Sequence, residues 1–373
     1  MTKVCHLTSV HKWNDTRIFF KECITLADAG YTTYLVAPEA TEGLHHGVEV
    51  KSVPVRKKGR IYRATVVAWK VFKKGLSTKS AIYHFHDPEL IWVGVLLRMA
   101  GKKVIYDVHE NVQAQILDKK WLVFPKLVAF IYSIAEWFAS KMFSIVIAED
   151  SYEEIYRNKT KDITRVLNFP DLEEFRKLKP SVRSSKNGIL YIGLVSKLRG
   201  IHEIISALYI LKKKEIDFTF HCVGPLSDEL RGEIDKRDDY QQIKENIIFY
   251  GSLPVYEAYQ LASVSKIGVS ILHPVPNYLR SYSTKIFEYM AVGLPFIVSD
   301  FQIYDFVKEQ QLGFCIDPFS VTELAENFEK ILMGQVDTDT MVKRQEYVVE
   351  HFYSWKSQAR NLLELYKRLN PVN

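Results

Sequence analysis

The chain has 373 residues, 47% of them hydrophobic and 25% charged, with a formal net charge of +6. It is too long for one ordinary domain and comfortable for two, and its composition is that of a soluble globular protein, which excludes a disordered or fibrous chain. Cys5, Cys23, Cys222 and Cys315 lie far apart with no C-x-x-C pair, so neither a zinc site nor a disulfide framework is suggested, and a reducing cytoplasm fits best.

The opening MTKVCHLTSVHKW lacks the basic-then-apolar layout of a secretory signal, and no run approaches the ~18 uncharged residues of a spanning helix, so a chain that is neither secreted nor membrane-crossing is expected. Charge is unevenly spread. Residues 1–180 hold 28 Lys/Arg against 20 Asp/Glu, and residues 51–141 hold 17 against 6. That half is suited to a negative partner.

Residues 4–8 predict a strand, SVHKWNDTR a polar loop, residues 18–29 a helix ended by Gly30, and residues 34–37 a second strand. This succession opens a doubly wound sheet, whose ligand crevice lies at the C-terminal strand ends. No G-x-G-x-x-G follows the first strand, which argues against a nicotinamide site. Residues 81–86 predict a strand running into His86-Asp87, with His84 and His86 on one face. Residues 104–108 repeat the layout and end in His109-Glu110, where a helix cap is the plain alternative.

Two segments stand apart. Residues 56–75 are basic with Ile61, Val66, Trp69 and Phe72 interleaved, and residues 119–143 are apolar and aromatic, interrupted by Lys126 and Glu136. Basic flanks with Trp and Phe suit a helix lying on an anionic membrane surface, and a buried domain helix is the alternative for the second. Nucleic acid would also attract this charge, but no nucleic-acid module is present, so none is expected as a partner. Residues 144–148 predict a further strand and residues 150–160 a helix. A polar linker from residue 168 to Gly188 then places the domain boundary, giving domains of 1–170 and 186–349 and a terminal helix within 350–373.

The second half opens with a strand over residues 189–193 and the loop GLVSKLRGI, carrying Lys197 and Arg199. Strands over 218–223 and 247–250 follow, the latter entering Gly251. The most informative stretch is PNYLRSYSTKIFEYMAVGLPFIVSD, residues 276–300. Ser283 or Thr284 caps a helix there, Lys285 sits at its positive end, and Glu288 lies one turn on, roughly 5 Å away. A helix N-terminus with a lysine suits phosphate, and a carboxylate one turn further can accept two hydrogen bonds from a ribose diol. Arg280 precedes the helix. Residues 350–369 predict an amphipathic helix with Trp355, Leu362 and Tyr366 on one stripe.

Residues 284–300, together with YHFHDPEL, YDVHE and the terminal F-x-S-W helix, resemble the GT-B glycosyltransferases of family 4, in the branch with a TK-x-FEYMA-x-GLP pattern. The resemblance runs from residue 4 to about residue 369. It implies an α/β chain of two doubly wound, Rossmann-like parallel-sheet domains facing a cleft, the GT-B architecture. It also implies a nucleotide-sugar donor, UDP or GDP, on the second domain, a saccharide acceptor on the first, retention of configuration, and neither metal nor cofactor. In it His86 takes the place of the active-site histidine. Lys197, Arg199, Gly251, Arg280, Ser283, Thr284, Lys285 and Glu288 fall at the donor, and Asp15, Arg17, Asp87, His109 and Glu110 on the acceptor side. Two departures from the family pattern stand out: Leu194 replaces an arginine and Arg280 a glutamate, and Arg280 is expected to supply the missing charge to phosphate. If the basic, aromatic segments dock on a membrane, the acceptor is expected to be polyprenyl-diphosphate-linked, in capsule or lipopolysaccharide assembly, with the protein peripheral on the inner face of the cell membrane. A same-fold epimerase or phosphorylase and an inactive nucleotide-binding scaffold are the alternatives.

Overall fold

The structure is a computed structural model that describes residues 1–57, 59–109, 112–117, 124–160, 162–179 and 186–370. It divides into two compact units, the first from Met1 to Asn168 together with the segment from Trp355 onward, the second from Phe169 to Ser354.

The first unit is built on β1 (Lys3–Leu7), β2 (Thr32–Pro38), β3 (Gly43–His45), β4 (Val48–Val53), β5 (Ile82–Phe85), β6 (Lys103–Val108), β7 (Ser144–Ile147) and β8 (Ile163–Arg165), in spatial order β3-β4-β2-β1-β5-β6-β7-β8. Every pairing is parallel except that of β3 with β4. Helices cover both faces, so β5 and β7 are buried along their whole length and read as unbroken apolar runs. Strand order reverses between β1 and β5, which opens a crevice at their C-terminal ends. β3 and β8, at the two edges, and β4, next to β3, were unforeseen from sequence, because their polar residues break the apolar signal.

The first helix departs from the expected continuous α-helix. It winds as a π-helix over Thr16–Cys23 before becoming α-helical over Ile24–Asp28. Bonding of residues five apart brings Arg17 and Glu22 to one face, and both point inward and are buried. The terminal helix, Trp355–Leu369, packs its Trp355, Leu362, Leu365 and Tyr366 against Val4, Ile82 and Ile105 on the same side of this sheet. A separate helix, Thr338–His351, precedes it.

The second unit holds β9 (Gly188–Ile192), β10 (Thr219–Val223), β11 (Ile247–Gly251), β12 (Ser265–Ser270), β13 (Phe296–Ser299) and β14 (Phe314–Ile316), all parallel, in order β11-β10-β9-β12-β13-β14. Here the order reverses between β9 and β12. Helices Ile201–Lys213 and Val321–Leu332 close the core on one face. Helix Thr284–Ala291 lies so near β12 that a Cβ on Gly268 would stand 2.8 Å from the Tyr289 ring. The polar linker includes a short helix, Leu172–Arg176, that buries Leu172 and Phe175.

Candidate functional sites

In the second unit, the loops after β9 and β10 meet back to back. Gly224, at φ +142°, would put a Cβ 1.8 Å from the Gly193 carbonyl oxygen, so this approach requires glycine. Over Gly193, at φ +133°, two cations converge: a Cβ there would be 3.1 Å from Arg199 Nη1 and 3.3 Å from Lys285 Nζ. Lys285 is buried, its Nζ 4.3 Å from the Tyr191 ring centroid and without a hydrogen-bond partner among the described residues. Burial first, and the Arg199 charge second, lower its pKa to about 7. Arg199 Nε donates to the Tyr278 hydroxyl at 3.4 Å.

Helix Thr284–Ala291 starts at Ser283, whose hydroxyl pairs with Ser270 Oγ at 2.9 Å and does not cap the helix, as the sequence had suggested. The first-turn N–H groups are therefore left uncapped by side chains beside Lys285. One turn on, half-buried Glu288 accepts from the Tyr259 hydroxyl at 2.5 Å. Thr284 is exposed at the helix start, and Gly251, at φ +67°, passes its carbonyl to Gly224 N–H at 2.7 Å. Two expected members lie differently. Lys197 is exposed and ion-paired with Glu233 at 2.6 Å, because the intervening 3-10 turn points it to the surface. Arg280 ends a five-residue helix, exposed and without an ion-pair partner among the described residues. Leu194 is exposed beside them.

In the first unit, a cavity of about 460 Å³ opens at the ends of β5 and β6, lined among others by His11, Arg63, Asp87, Glu89, His109 and Tyr132. Asp87 Oδ2 accepts from Ser9 N–H at 2.6 Å and the Thr8 hydroxyl at 2.8 Å, which fixes the loop after β1. Glu89 receives both Arg63 Nη2, at 3.1 Å, and Arg63 Nε. His109 Nε2 donates to Asp107 Oδ2 at 2.7 Å.

Asp15 and Arg17, expected at the site, do not line this cavity. Asp15 caps the first helix through the N–H groups of Arg17, at 2.9 Å, and Ile18, at 3.0 Å. Burial works to raise its pKa, but the His11 contact and those two N–H groups outweigh it and hold the carboxyl well below the usual range. Arg17 turns inward to grip Asp107 with Nε at 3.0 Å and Nη2 at 2.9 Å. Burial disfavours the Asp107 carboxylate, yet Arg17 and His109 keep its pKa well below the usual range. His86 reaches the cavity edge but is buried, with Nδ1 bonded to Asp107 at 3.1 Å and Nε2 to His6 Nδ1 at 3.0 Å. Burial lowers its pKa to about 4, so the ring is neutral. Glu110 lies outside the described residues, as do Lys58 and residues 119–123 of the two membrane-leaning segments.

Behind His86 stands a group that sequence reading missed: His6, Glu22 and Tyr366. Their signal was the His84/His86 alternation, since β1 registers His6 directly beside His84.

Residues 186–333 match the model of the family described as glycosyl transferases group 1. A search of curated proteins finds no significant match. Among solved structures, the chain is similar to sucrose-phosphate synthase from Thermosynechococcus elongatus (17% identity, TM-score 0.74, 99% of each chain covered). It is also similar to Anabaena HepE in complex with UDP and glucose (13% identity, TM-score 0.71, covering 99% of this chain and 100% of that one). A third is α,α-trehalose 6-phosphate synthase from Burkholderia multivorans (10% identity, TM-score 0.68, covering 99% and 98%). The chain thus has the GT-B fold, and its residues 186–333 carry the match to the glycosyl transferases group 1 family.

Proposed function

We propose that this chain is a glycosyltransferase of the family 4 type that moves a sugar, with retention, from a UDP- or GDP-sugar held by the second unit to a saccharide acceptor held by the first. The observation that carries this reading is Lys285: a buried ammonium without a hydrogen-bond partner among the described residues, aimed with Arg199 over Gly193, beside a helix N-terminus that no side chain caps and one turn from Glu288. An unpartnered buried cation is costly, and a diphosphate relieves that cost. Glu288 then takes the ribose hydroxyls, with Tyr259 holding its other side. Arg280, exposed and without an ion-pair partner among the described residues, swings onto the phosphates in place of the residue that Leu194 replaces.

In the transfer step the leaving diphosphate accepts the acceptor's proton on the face where the sugar departs, while Lys285 and Arg199 neutralise its growing charge. No metal is assigned to this step. His109, at the cavity wall with Asp107 behind its Nε2, orients the acceptor hydroxyl, and His86 positions Asp107.

Two features of the first unit support a lipid-linked acceptor, such as a polyprenyl-diphosphate saccharide in surface-polysaccharide assembly, met at an anionic membrane face. Helix Pro125–Met142 turns Glu136 inward and aromatics outward, with Phe130 62% and Trp137 45% exposed, which argues against a buried domain helix. The basic segment contributes Arg60 and Arg63 to the cavity wall, and the apolar helix contributes Tyr132, so the cavity lies between both segments. Among the described residues no helix is long and apolar enough to cross a membrane.

A thermal-shift screen of UDP, GDP and their sugars tests the donor assignment, with Glu288→Ala as control. Stabilisation by one base, lost in the variant, is expected. No shift with any nucleotide would favour an inactive scaffold.

A further inference from the structure

Glu22 presents a problem the transfer chemistry does not solve. Its carboxyl group is fully buried, neither oxygen accepts a hydrogen bond among the described residues, and burial with the Asp107 charge beside it raises its pKa well above the usual range. Arg17 Nε stands 3.1 Å from Oε1, paired by charge but outside hydrogen-bond geometry. Oε2 faces three imidazole nitrogens: His6 Nδ1 at 3.8 Å, His84 Nδ1 at 3.8 Å and His86 Nε2 at 4.0 Å. Those separations are too long for hydrogen bonds. Two metal–ligand bonds of about 2.0–2.1 Å at the tetrahedral angle hold their donor atoms roughly 3.3–3.4 Å apart, so the ligands close on an ion by about half an ångström. All four ligand atoms lie within 4.8 Å of one another.

We propose that His6, Glu22, His84 and His86 form a closed, structural site for a first-row divalent cation, zinc by its three-imidazole, one-carboxylate set. The surroundings have the form that such sites take. His86 gives its outer nitrogen, Nδ1, to the Asp107 carboxylate at 3.1 Å, and His6 gives Nε2 to the Tyr366 hydroxyl at 3.1 Å. Arg17 stands behind Glu22. Outer partners of this kind fix the ring orientation and the tautomer of His6 and His86 and leave their inner nitrogens as lone pairs, whereas His84 Nδ1 also meets the Tyr366 hydroxyl at 3.0 Å and must give up that contact to the ion. With His6 Nδ1 and His86 Nε2 only 3.0 Å apart, either one proton lies between them or a cation replaces it.

Every ligand is buried, so no coordination position is open to substrate, and the ion's work is to tie β1, β5 and the first helix together under the terminal helix. Widely spaced cysteines exclude a thiolate site and say nothing about this one. The neighbouring group of His86, Asp107 and His109 is a poorer candidate, because Arg17 already occupies both Asp107 oxygens. A site this enclosed loads during folding. The inference does not depend on the transferase reading.

The test is the metal content of the full chain, expressed in zinc-supplemented medium, purified without chelating resin, dialysed against EDTA and read by plasma mass spectrometry. About one zinc per chain is expected, retained while folded and released on unfolding. Refolding with Zn²⁺ alone is expected to raise Tm by several degrees over refolding with EDTA. The near-isosteric Glu22→Gln and His84→Gln chains are expected to hold less than about a tenth of an equivalent. Wild-type protein with no zinc and the same Tm in both refolding regimes would overturn the proposal whatever the variants do. So would zinc held equally by both variants.

Discussion

Arg17 and Lys285 are both buried cations at the ligand ends of parallel sheets, and they are held in opposite ways. Arg17 is gripped by Asp107 through two hydrogen bonds and stands against Glu22, so its charge is spent within the first unit. Lys285 has a ring face and a neighbouring arginine but no acceptor among the described residues. A cation whose partners are all inside the fold is structural, and one whose partner is missing waits for a ligand. The candidate donor site is therefore marked by what it lacks.

The largest test of this contrast is Arg17→Leu. It strands the buried Asp107 carboxylate and is expected to cost about 3–5 kcal/mol in urea unfolding. Lys285→Met removes a desolvated charge, so the ligand-free protein is expected to be no less stable while nucleotide affinity falls about 100-fold, or roughly 2.7 kcal/mol. If the two substitutions exchanged these outcomes, the contrast would be wrong. His109→Gln is expected to lower kcat about 100-fold with donor affinity kept, measured by sugar transfer to a saccharide acceptor.

Smaller effects come from pH. The folded pKa of Lys285, about 7, lies below its ordinary 10.5, so between those values the unfolded chain binds more protons and ligand-free stability rises with pH. Nucleotide binding has the opposite slope. A diphosphate favours the ammonium, so affinity falls as pH rises above 7, by at most about tenfold per unit. Smallest is the membrane effect: Phe130→Ser with Trp137→Ser is expected to reduce flotation with anionic vesicles several-fold at low salt. No flotation of wild-type protein would remove the membrane assignment and leave the donor site untouched.

Much of the second unit was legible because its chemistry is local. TKIFEYMAVGLP carries the helix start, Lys285 and Glu288 within a few residues, and the apolar runs of β9, β10, β12 and β13 announce buried parallel strands. What failed there was side-chain direction: Lys197 and Arg199 are two residues apart on one turn, and only Arg199 reaches Gly193. The first unit was harder, because its polar cluster joins residues up to 360 positions apart, as His6 and Tyr366 are. Nor does a helical pattern betray π winding, which is what turned Arg17 from an expected site residue into Asp107's partner.

The central claim rests on Lys285 as the vacant half of an ion pair. Titrating UDP and GDP into wild-type and Lys285→Met protein calorimetrically, at pH 7 and pH 9 in buffers of different ionisation enthalpy, tests it most directly. The account predicts that one nucleotide binds with proton uptake, more weakly at pH 9, and that Lys285→Met loses both the affinity and the uptake. Binding by Lys285→Met equal to wild type, or no binding of either nucleotide, would contradict it.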